Sequence, residues 1–295
     1  MSRTRSGAGR QGRRAVATLL AAGALLGAAA GAEARQEGPW RAAVLEAGVN
    51  SPQADGCPIE SPNGLNLYIA STRAGAVGGE GDPNDIWRFH RTSIDAPWGA
   101  AEHLPAPVNS ASADFCPTPL TGKRLYFVSA RAGFCGGGDI FRTRQHPTGS
   151  WLQPENLGCQ ATGSGPNFAG GEFSPSVVET GEGTLLYFSS IGNDGGSDQD
   201  IYVSVMGADG SFGPGTKVEE LSTAANDQMP NVSRDGLEIV YVSDRSGGAG
   251  ALDIWTATRA STADAWSAPV NLTDINTAGA ESRPSLSGDG QRLHF

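Results

Sequence analysis

The sequence predicts an all-β fold built from repeated four-stranded antiparallel sheets. Two observations support this prediction. A composition with 42 Gly and 18 Pro among 295 residues is typical of many short strands joined by turns. A pattern of turn, strand and aromatic signals also recurs along the chain, and no long segment has the 3.6-residue apolar period of a helix.

The clearest copy of the repeat is residues 227–259. Asp235-Gly236 is a two-residue turn between a short polar segment and an apolar one, which predicts a hairpin. A glycine-rich loop leads to residues 253–258, whose β-branched and aromatic side chains suit a third strand. Trp266 is expected to begin a fourth strand. A sheet this apolar on both faces needs neighbours of its own kind.

The third strand marks the period of the repeat most clearly, because it begins with Asp-Ile each time. Its copies start at Asp85, Asp139, Asp200 and Asp253, about 53 to 61 residues apart. The longest interval contains an insertion at residues 163–169. Repeated four-stranded units arranged around a channel predict a β-propeller.

We expect one propeller domain over residues 35–295. Its four complete blades are predicted near residues 54–108, 113–161, 171–222 and 226–276. A partial fifth blade, 280–295, would be closed by a fourth strand at 40–49. Since residues 283–295 supply only two strands, we expect further chain to complete this blade; five blades is the favoured count and six the alternative.

Residues 1–34 read as an export signal. An Arg-rich start precedes an Ala/Leu/Gly run from 15 to 31, and Ala32-Glu33-Ala34 has the form of a cleavage site. Arg13-Arg14 leaves twin-arginine export open beside the general route, and the run just reaches the length of an uncleaved anchor. We expect a periplasmic or secreted protein without a membrane span in its mature form.

The net negative charge of the predicted mature chain disfavours two classes of partner. Removing residues 1–34 leaves 16 basic and 30 acidic residues. Binding to nucleic acid or anionic lipid rests on Lys and Arg neutralising phosphates, so both are poor partners for this chain. We expect a soluble monomer.

Several segments resemble the WD-repeat-like propeller repeat of TolB-type proteins. They are residues 230–236 (PNVSRDG), 241–245 (YVSDR), 252–255 (LDIW), 284–290 (PSLSGDG) and 117–122 (PTPLTG). The resemblance covers residues 40–295. It implies a propeller of an exported bacterial type with a protein-binding role in the envelope, and some relatives of this kind act on saccharides.

Five acids stand three residues before the proline that opens each unit, and we call them the ring acids. They are Asp55, Asp114, Glu172, Asp227 and Glu281. We expect them on one face of the propeller, the acid face, around one mouth of the channel. Either they bind a ligand through clustered charge, or each pairs with the Arg of a following Ser-x-Arg or caps loop N–H groups. Repetition in every blade favours the structural interpretation.

The third unit breaks the repeat. Ile191 is aligned with Arg73, Arg131 and Arg245 of the other units, so Glu172 is expected to lack an Arg partner. Glu172 is therefore the best single candidate for a free, ligand-binding carboxylate.

No catalytic residue can be assigned from the sequence. No pair of histidines has metal-ligand spacing, and no G-x-S-x-G is present. His294 takes the place of a tyrosine that recurs in the second strands, and we expect it to pack between blades. We expect no cofactor, with calcium at residues 193–200 as an alternative, since that loop holds several oxygen ligands.

Four cysteines in an exported chain indicate disulfides, and three pairings are possible. Cys57 and Cys116 occupy the same position in neighbouring units, while Cys135 and Cys159 both belong to the second unit. We favour the pairs Cys57–Cys116 and Cys135–Cys159.

The sequence thus predicts an exported binding or scaffold module, with an envelope protein or a saccharide as its partner. The alternative is a carbohydrate-active hydrolase or lyase that uses carboxylates on the acid face, since two acids suffice for glycoside cleavage. A cavity at the channel mouth with two carboxylates free of Arg would favour the enzyme.

Overall fold

The computed structural model describes residues 2–4, 40–46, 48–75, 84–192 and 197–295, with residues 2–4 described by backbone alone. Strand β1 is Ser2–Thr4. Blade 1 consists of β2 (Asp55–Glu60), β3 (Asn66–Ser71), β4 (Asp85–His90) and β5 (Glu102–His103). Blade 2 consists of β6 (Asp114–Leu120), β7 (Arg124–Ser129), β8 (Asp139–Arg144) and β9 (Glu155–Asn156).

Blade 3 consists of β10 (Glu172–Thr180), β11 (Gly183–Ser190), β12 (Asp200–Val205) and β13 (Thr216–Lys217). Blade 4 consists of β14 (Asp227–Val232), β15 (Glu238–Ser243), β16 (Asp253–Thr258) and β17 (Val270–Asn271). The fifth sheet contains β18 (Ser285–Leu286) and β19 (Arg292–His294), with β1 beside β19. All strand pairs are antiparallel and follow chain order within each blade, so the predicted all-β propeller of four-stranded blades is confirmed.

The second and third strands of each blade form its buried centre, as their apolar composition predicts. Ile86, Phe127, Phe188 and Val240 are fully buried. The fourth strands are only two residues long, and each begins four residues after the aromatic marker that was expected to start it. Trp266, for example, packs in the core against Tyr187 while β17 begins at Val270.

A left-handed residue followed by proline interrupts each inner strand. Cys57, Cys116, Ser174, Met229 and Arg283 have φ between 47° and 56°. In the four complete blades this residue lies at a bulge in the pairing of the first two strands. Proline lacks a backbone N–H and so suits a bulge on an edge strand. The innermost edge of the ring therefore presents prolines to the channel.

Five inner strands close the ring, because a specific bond joins each strand to the next. Between blades 1 and 2 this bond is the Cys57–Cys116 disulfide. The other four are hydrogen bonds: Thr118 Oγ1 to the Pro175 carbonyl, Val232 N to Ser176 Oγ at 2.9 Å, Leu286 N to Asn231 Oδ1 at 2.8 Å, and Ser285 Oγ to the Pro58 carbonyl. The strand β18 thus lies between blades 4 and 1, which supports the count of five.

Residues 40–49 pass from the fifth sheet to blade 1. Trp40 packs with Val240 and Leu293, and Val49 packs with Leu67 and Trp87. In the described residues the third strand of the fifth sheet is β1, and the role of 40–49 as its fourth strand stays a prediction. β1 falls within residues 1–34, whose assignment as an export signal also stays a prediction. None of the described residues belongs to a helix long and apolar enough to span a membrane.

Both predicted disulfide pairs are present. The Cα atoms of Cys57 and Cys116 are 4.9 Å apart, and those of Cys135 and Cys159 are 5.4 Å apart, distances that suit a disulfide. The doubled position of Cys57 and Cys116 in neighbouring repeats was sufficient to identify their pairing.

Removing the Cys135–Cys159 disulfide is expected to lower the free energy of unfolding by about 3 kcal/mol, because the bond constrains a loop of 24 residues in the unfolded chain. The measurement is urea unfolding of the oxidised protein and of the Cys135→Ser/Cys159→Ser variant, followed by tryptophan fluorescence. Coinciding unfolding curves would contradict this expectation.

Candidate functional site

The ring acids occupy equivalent places at the start of the inner strands, as predicted. Asp55, Asp114, Glu172 and Asp227 are the first residues of β2, β6, β10 and β14, and Glu281 lies just before β18. Each carboxylate accepts a hydrogen bond from the backbone N–H four residues earlier in the chain. The donors are Ser51, Ser110, Phe168, Thr223 and Thr277.

Three ring acids pair with arginines, which confirms the structural interpretation for blades 1, 2 and 4. Asp55 pairs with Arg73 and Asp114 with Arg131, at 2.7 and 2.8 Å, and Asp227 pairs with Arg245. In each blade the arginine Nε also donates to the Ser Oγ two residues before it. The acid thus ties the inner strand to the loop between the second and third strands.

In blade 2 the arginine that pairs with the ring acid makes several further contacts. The Arg131 guanidinium donates to Asp114, to Ser129 Oγ at 2.8 Å and to the Val108 carbonyl at 2.6 Å. It also lies 5.2 Å from the ring centroid of Phe141. Since these partners belong to blade 2 and to the segment that leads into it from blade 1, this acid and its arginine act as framework.

Blade 3 replaces the arginine, and the alignment of Ile191 with it was wrong. Glu172 pairs with Ser190 across the strands as Asp55 pairs with Ser71, so the residue two after the serine is Gly192. Its N–H donates to Ser190 Oγ, as the Arg73 N–H does to Ser71. The broken repeat is therefore real, but Gly192 is the residue that breaks it.

Phe168 is a second position at which blade 3 differs from the other units. The other units have Ser or Thr at its position, and the third-strand aromatic that stacks on the arginine in blades 1, 2 and 4 is Tyr202 in blade 3. The ring centroids of Phe168 and Tyr202 are 4.8 Å apart. An aromatic contact thus stands where the other blades have a guanidinium on a ring.

Glu172 is buried beneath this contact. Its Oε1 accepts from Phe168 N at 2.9 Å and from Ser190 Oγ at 3.2 Å, and its Oε2 has no partner among the described residues. Burial, with a smaller contribution from the charge of Asp139, raises the pKa of Glu172 to about 8. At neutral pH the side chain is mostly an uncharged acid.

No described arginine pairs with Glu172, and its side chain is fully buried. Glu281, which is also buried, accepts from Thr277 N and Oγ1 at 3.1 and 2.6 Å, and no described arginine pairs with it. A ligand-binding role for the ring acids stays a prediction.

The sequence analysis missed a second set of framework residues. Asn109, Asn167 and Asn276 each accept a hydrogen bond from the backbone N–H of the third-strand isoleucine of their blade, and Ser222 does so in blade 3. These residues follow the Asp of the third strand by 22 to 28 positions in every blade. That spacing was a usable signal.

The Asp residues of the third strands are also engaged. Asp139 accepts from Cys135 N and Asn156 Nδ2, both at 2.8 Å, and Asp85 pairs with His103 at 2.6 Å. His294 is buried as predicted, with its Nε2 3.0 Å from Glu60 Oε1 at the junction of the fifth sheet and blade 1.

No metal-binding cluster of three or more His, Cys, Asp or Glu side chains is found among the residues that the structure describes. The predicted calcium loop lies partly outside those residues, at 193–196. Asp200, at the end of that loop, pairs with Lys217 at 2.6 Å. Calcium binding stays a prediction.

Two cavities lie along the central channel. The one between the left-handed residues has a volume of about 30 Å³ and is lined by the five inner prolines, with no carboxylate. The one at the opposite mouth has about 140 Å³ and contains Glu60 and Glu179, which pair with Arg292 and Arg124. Neither cavity offers two carboxylates free of arginine.

The acid face carries an apolar patch across blades 2 and 3. Phe134 and Ile191 lie in the loops after the second strands of these blades and are 50% and 37% exposed. The same two blades also carry the half-buried Phe115 and Phe173, whose rings are 6.1 Å apart. We call these four residues the apolar patch.

Comparison with known proteins identifies solved structures with a similar fold. No protein-family model and no curated protein matches the sequence. A thermostable family-43 glycoside hydrolase is similar with a TM-score of 0.51 and 14% identity, covering 84% of each chain. TolB from Acinetobacter baumannii is similar with a TM-score of 0.47 and 18% identity over 83% of this chain.

An α-L-arabinofuranosidase from Lactobacillus brevis is also similar, with a TM-score of 0.48 and 11% identity over 81% of each chain. This chain spans about half of the A. baumannii TolB chain, 49% of its length. TolB is thus among the structures similar to this chain. At these identities the similarity shows a β-propeller and no particular activity.

Proposed function

We propose that this protein is an exported binding module and that an envelope protein docks on its acid face. The observation that carries the proposal is the use of the recurring acids as framework. Asp55, Asp114 and Asp227 are neutralised by arginine and Glu172 is buried, so among the described residues these four ring acids do not supply the pair of accessible carboxylates that glycoside cleavage needs. Two disulfides favour an oxidising compartment.

The apolar patch supports a protein partner. Exposed aromatic and aliphatic side chains on adjacent loops suit the desolvated centre of an interface, where aromatic residues dominate binding energy. The predicted mature chain has a large excess of acidic residues, which favours a partner with basic residues around an apolar contact.

Serine at both Phe134 and Ile191 is expected to weaken partner binding by at least about tenfold, because hot-spot truncations cost about 2 kcal/mol or more. A partner is first captured from envelope extract with immobilised mature protein and purified. Its affinity is then measured by calorimetry for the wild type, the Phe134→Ser/Ile191→Ser variant and a control, Val205→Ser/Val270→Ser. The control residues are 58% and 60% exposed and lie outside the acid face.

Equal affinities for both variants would contradict docking on the apolar patch. A screen against plant and bacterial polysaccharides tests the competing function, hydrolysis. We expect no release of reducing sugar, and release that Glu172→Gln abolishes would overturn the proposal in favour of an enzyme.

A further inference from the structure

Arg283 lies at the centre of the ring and has no partner among the residues that the structure describes. Within the described part of the chain its guanidinium forms neither an ion pair nor a hydrogen bond. Burial lowers the pKa of the Arg283 guanidinium. Arg73, Arg131 and Arg245, on the same face, each pair with a ring acid. An unpaired, largely desolvated guanidinium is costly, so its retention suggests a ligand.

The backbone places this guanidinium over blade 1. Arg283 holds the left-handed position of the fifth unit, with φ of 55°, where blades 1 and 2 have the disulfide cysteines. Its Nη1 lies where a Cβ on Gly56 would stand, so any larger residue at Gly56 would overlap with it. The equivalent residues of the other units are Phe115, Phe173, Gln228 and Ser282. Blade 1 alone therefore leaves room for the guanidinium.

The cavity beside Arg283 is the proline-lined part of the channel, about 30 Å³ in volume. A cavity needs at least about 10–15 Å³ of such volume to hold one water, so this one admits a small polar group. Arg283 and Gly56 also line a neighbouring cavity together with Asp55 and Glu46. Neither of these described acids forms an ion pair with Arg283, and Asp55 is neutralised by Arg73.

We propose that the channel contains a carboxylate-binding site in which Arg283, seated over Gly56, pairs with a carboxylate that enters from the acid face. The planar fork of a guanidinium matches the two oxygens of a carboxylate. Arg283 is the one charged residue among those that line this cavity, so it is the group with which a carboxylate pairs there. The inference deepens the proposed binding function by naming the chemistry of a ligand group at the same face.

Small probes distinguish the source of the carboxylate. Calorimetry with N-acetyl-Ala-Ala and its C-terminal amide tests a polypeptide terminus, and methyl glucuronide with methyl glucoside tests an acidic saccharide. We expect saturable binding of at least one carboxylate probe and at least about tenfold weaker binding of its neutral counterpart, since charge-assisted hydrogen bonds are the strong ones. Absence of binding by both carboxylates would overturn the inference.

Variants of the full chain locate the site. Arg283→Asn removes the cation with a residue that tolerates positive φ, and at least about tenfold weaker binding is expected. Arg283→Lys keeps the charge without the fork and is expected to bind with intermediate affinity. Arg234→Asn is the matched control, because Arg234 is an exposed arginine that lines the cavity at the opposite mouth.

Unchanged binding by Arg283→Asn and Arg283→Lys, with thermal unfolding like that of the wild type, would contradict the site. If Arg283→Asn does not fold, binding by the lysine variant equal to that of the wild type would do so. The tests of the carboxylate site and of the docking surface are independent, because the Phe134→Ser/Ile191→Ser variant is expected to retain carboxylate binding.

Discussion

Replacing Asp114 by alanine is expected to lower the free energy of unfolding by about 3–5 kcal/mol. Asp114 is fully buried and accepts hydrogen bonds from Arg131 and Ser110. Its removal leaves the Arg131 guanidinium without a counter-ion, in contact with the rings of Phe127 and Phe141. The measurement is urea unfolding of the wild type and the variant at pH 7, followed by tryptophan fluorescence.

An exposed ion pair of the same blade is the control. Glu155 pairs with Arg142 at 3.0 Å and is largely exposed, so Glu155→Ala is expected to cost at most about 1 kcal/mol. Asp114→Ala/Arg131→Leu is expected to recover part of the loss, since no unpaired charge remains. Equal losses for Asp114→Ala and Glu155→Ala would show that the ring acid is not a framework residue.

The blade architecture could be predicted because its signals are local and repeated. Asp235-Gly236 is a turn signal carried by neighbouring residues. Asp-Ile begins the third strand of each of the four complete blades. Comparing equivalent positions in the repeats also predicted a contact between residues that are distant in sequence. Cys57 and Cys116 are 59 residues apart in the chain and form a disulfide in the ring.

What the sequence analysis missed depends on register and backbone conformation. The residue that replaces the arginine is Gly192 rather than Ile191, and only the pairing of Glu172 with Ser190 resolves that single-residue difference. The left-handed conformation of Met229 is imposed by the bulge of blade 4, since methionine does not favour it. The unpaired state of Arg283 likewise follows from three-dimensional packing over Gly56.

The burial of Glu172 has the same origin. An acid without an arginine was expected to be free for a ligand, but Phe168 packs against Tyr202 in the arginine's place. The sequence showed that blade 3 differs from the other blades. Side-chain packing determines the consequence, which is that Glu172 is buried.

Glu172 is therefore expected to make stability fall as the pH rises. The pKa of its carboxyl is 4.5 in the unfolded chain and about 8 in the folded protein. Between these values the unfolded chain has released the proton while the folded protein retains it, so stability falls as the pH rises. The contribution is fully present below pH 4.5 and is lost as the pH rises through about 8; it amounts to about 4–5 kcal/mol.

Glu172→Gln removes this dependence, because an amide does not ionise. The difference in unfolding free energy between wild type and variant is expected to shift in favour of the variant by about 4–5 kcal/mol between pH 4.5 and pH 9. Urea unfolding at intervals of one pH unit measures it, and titrating groups that do not interact with Glu172 cancel in the difference. Glu155→Gln, at an exposed position of blade 2, is the control and is expected to give a difference that varies little with pH. Parallel stability curves for the wild type and Glu172→Gln would mean that Glu172 is ionised in the folded protein, and so is paired or solvated despite its burial.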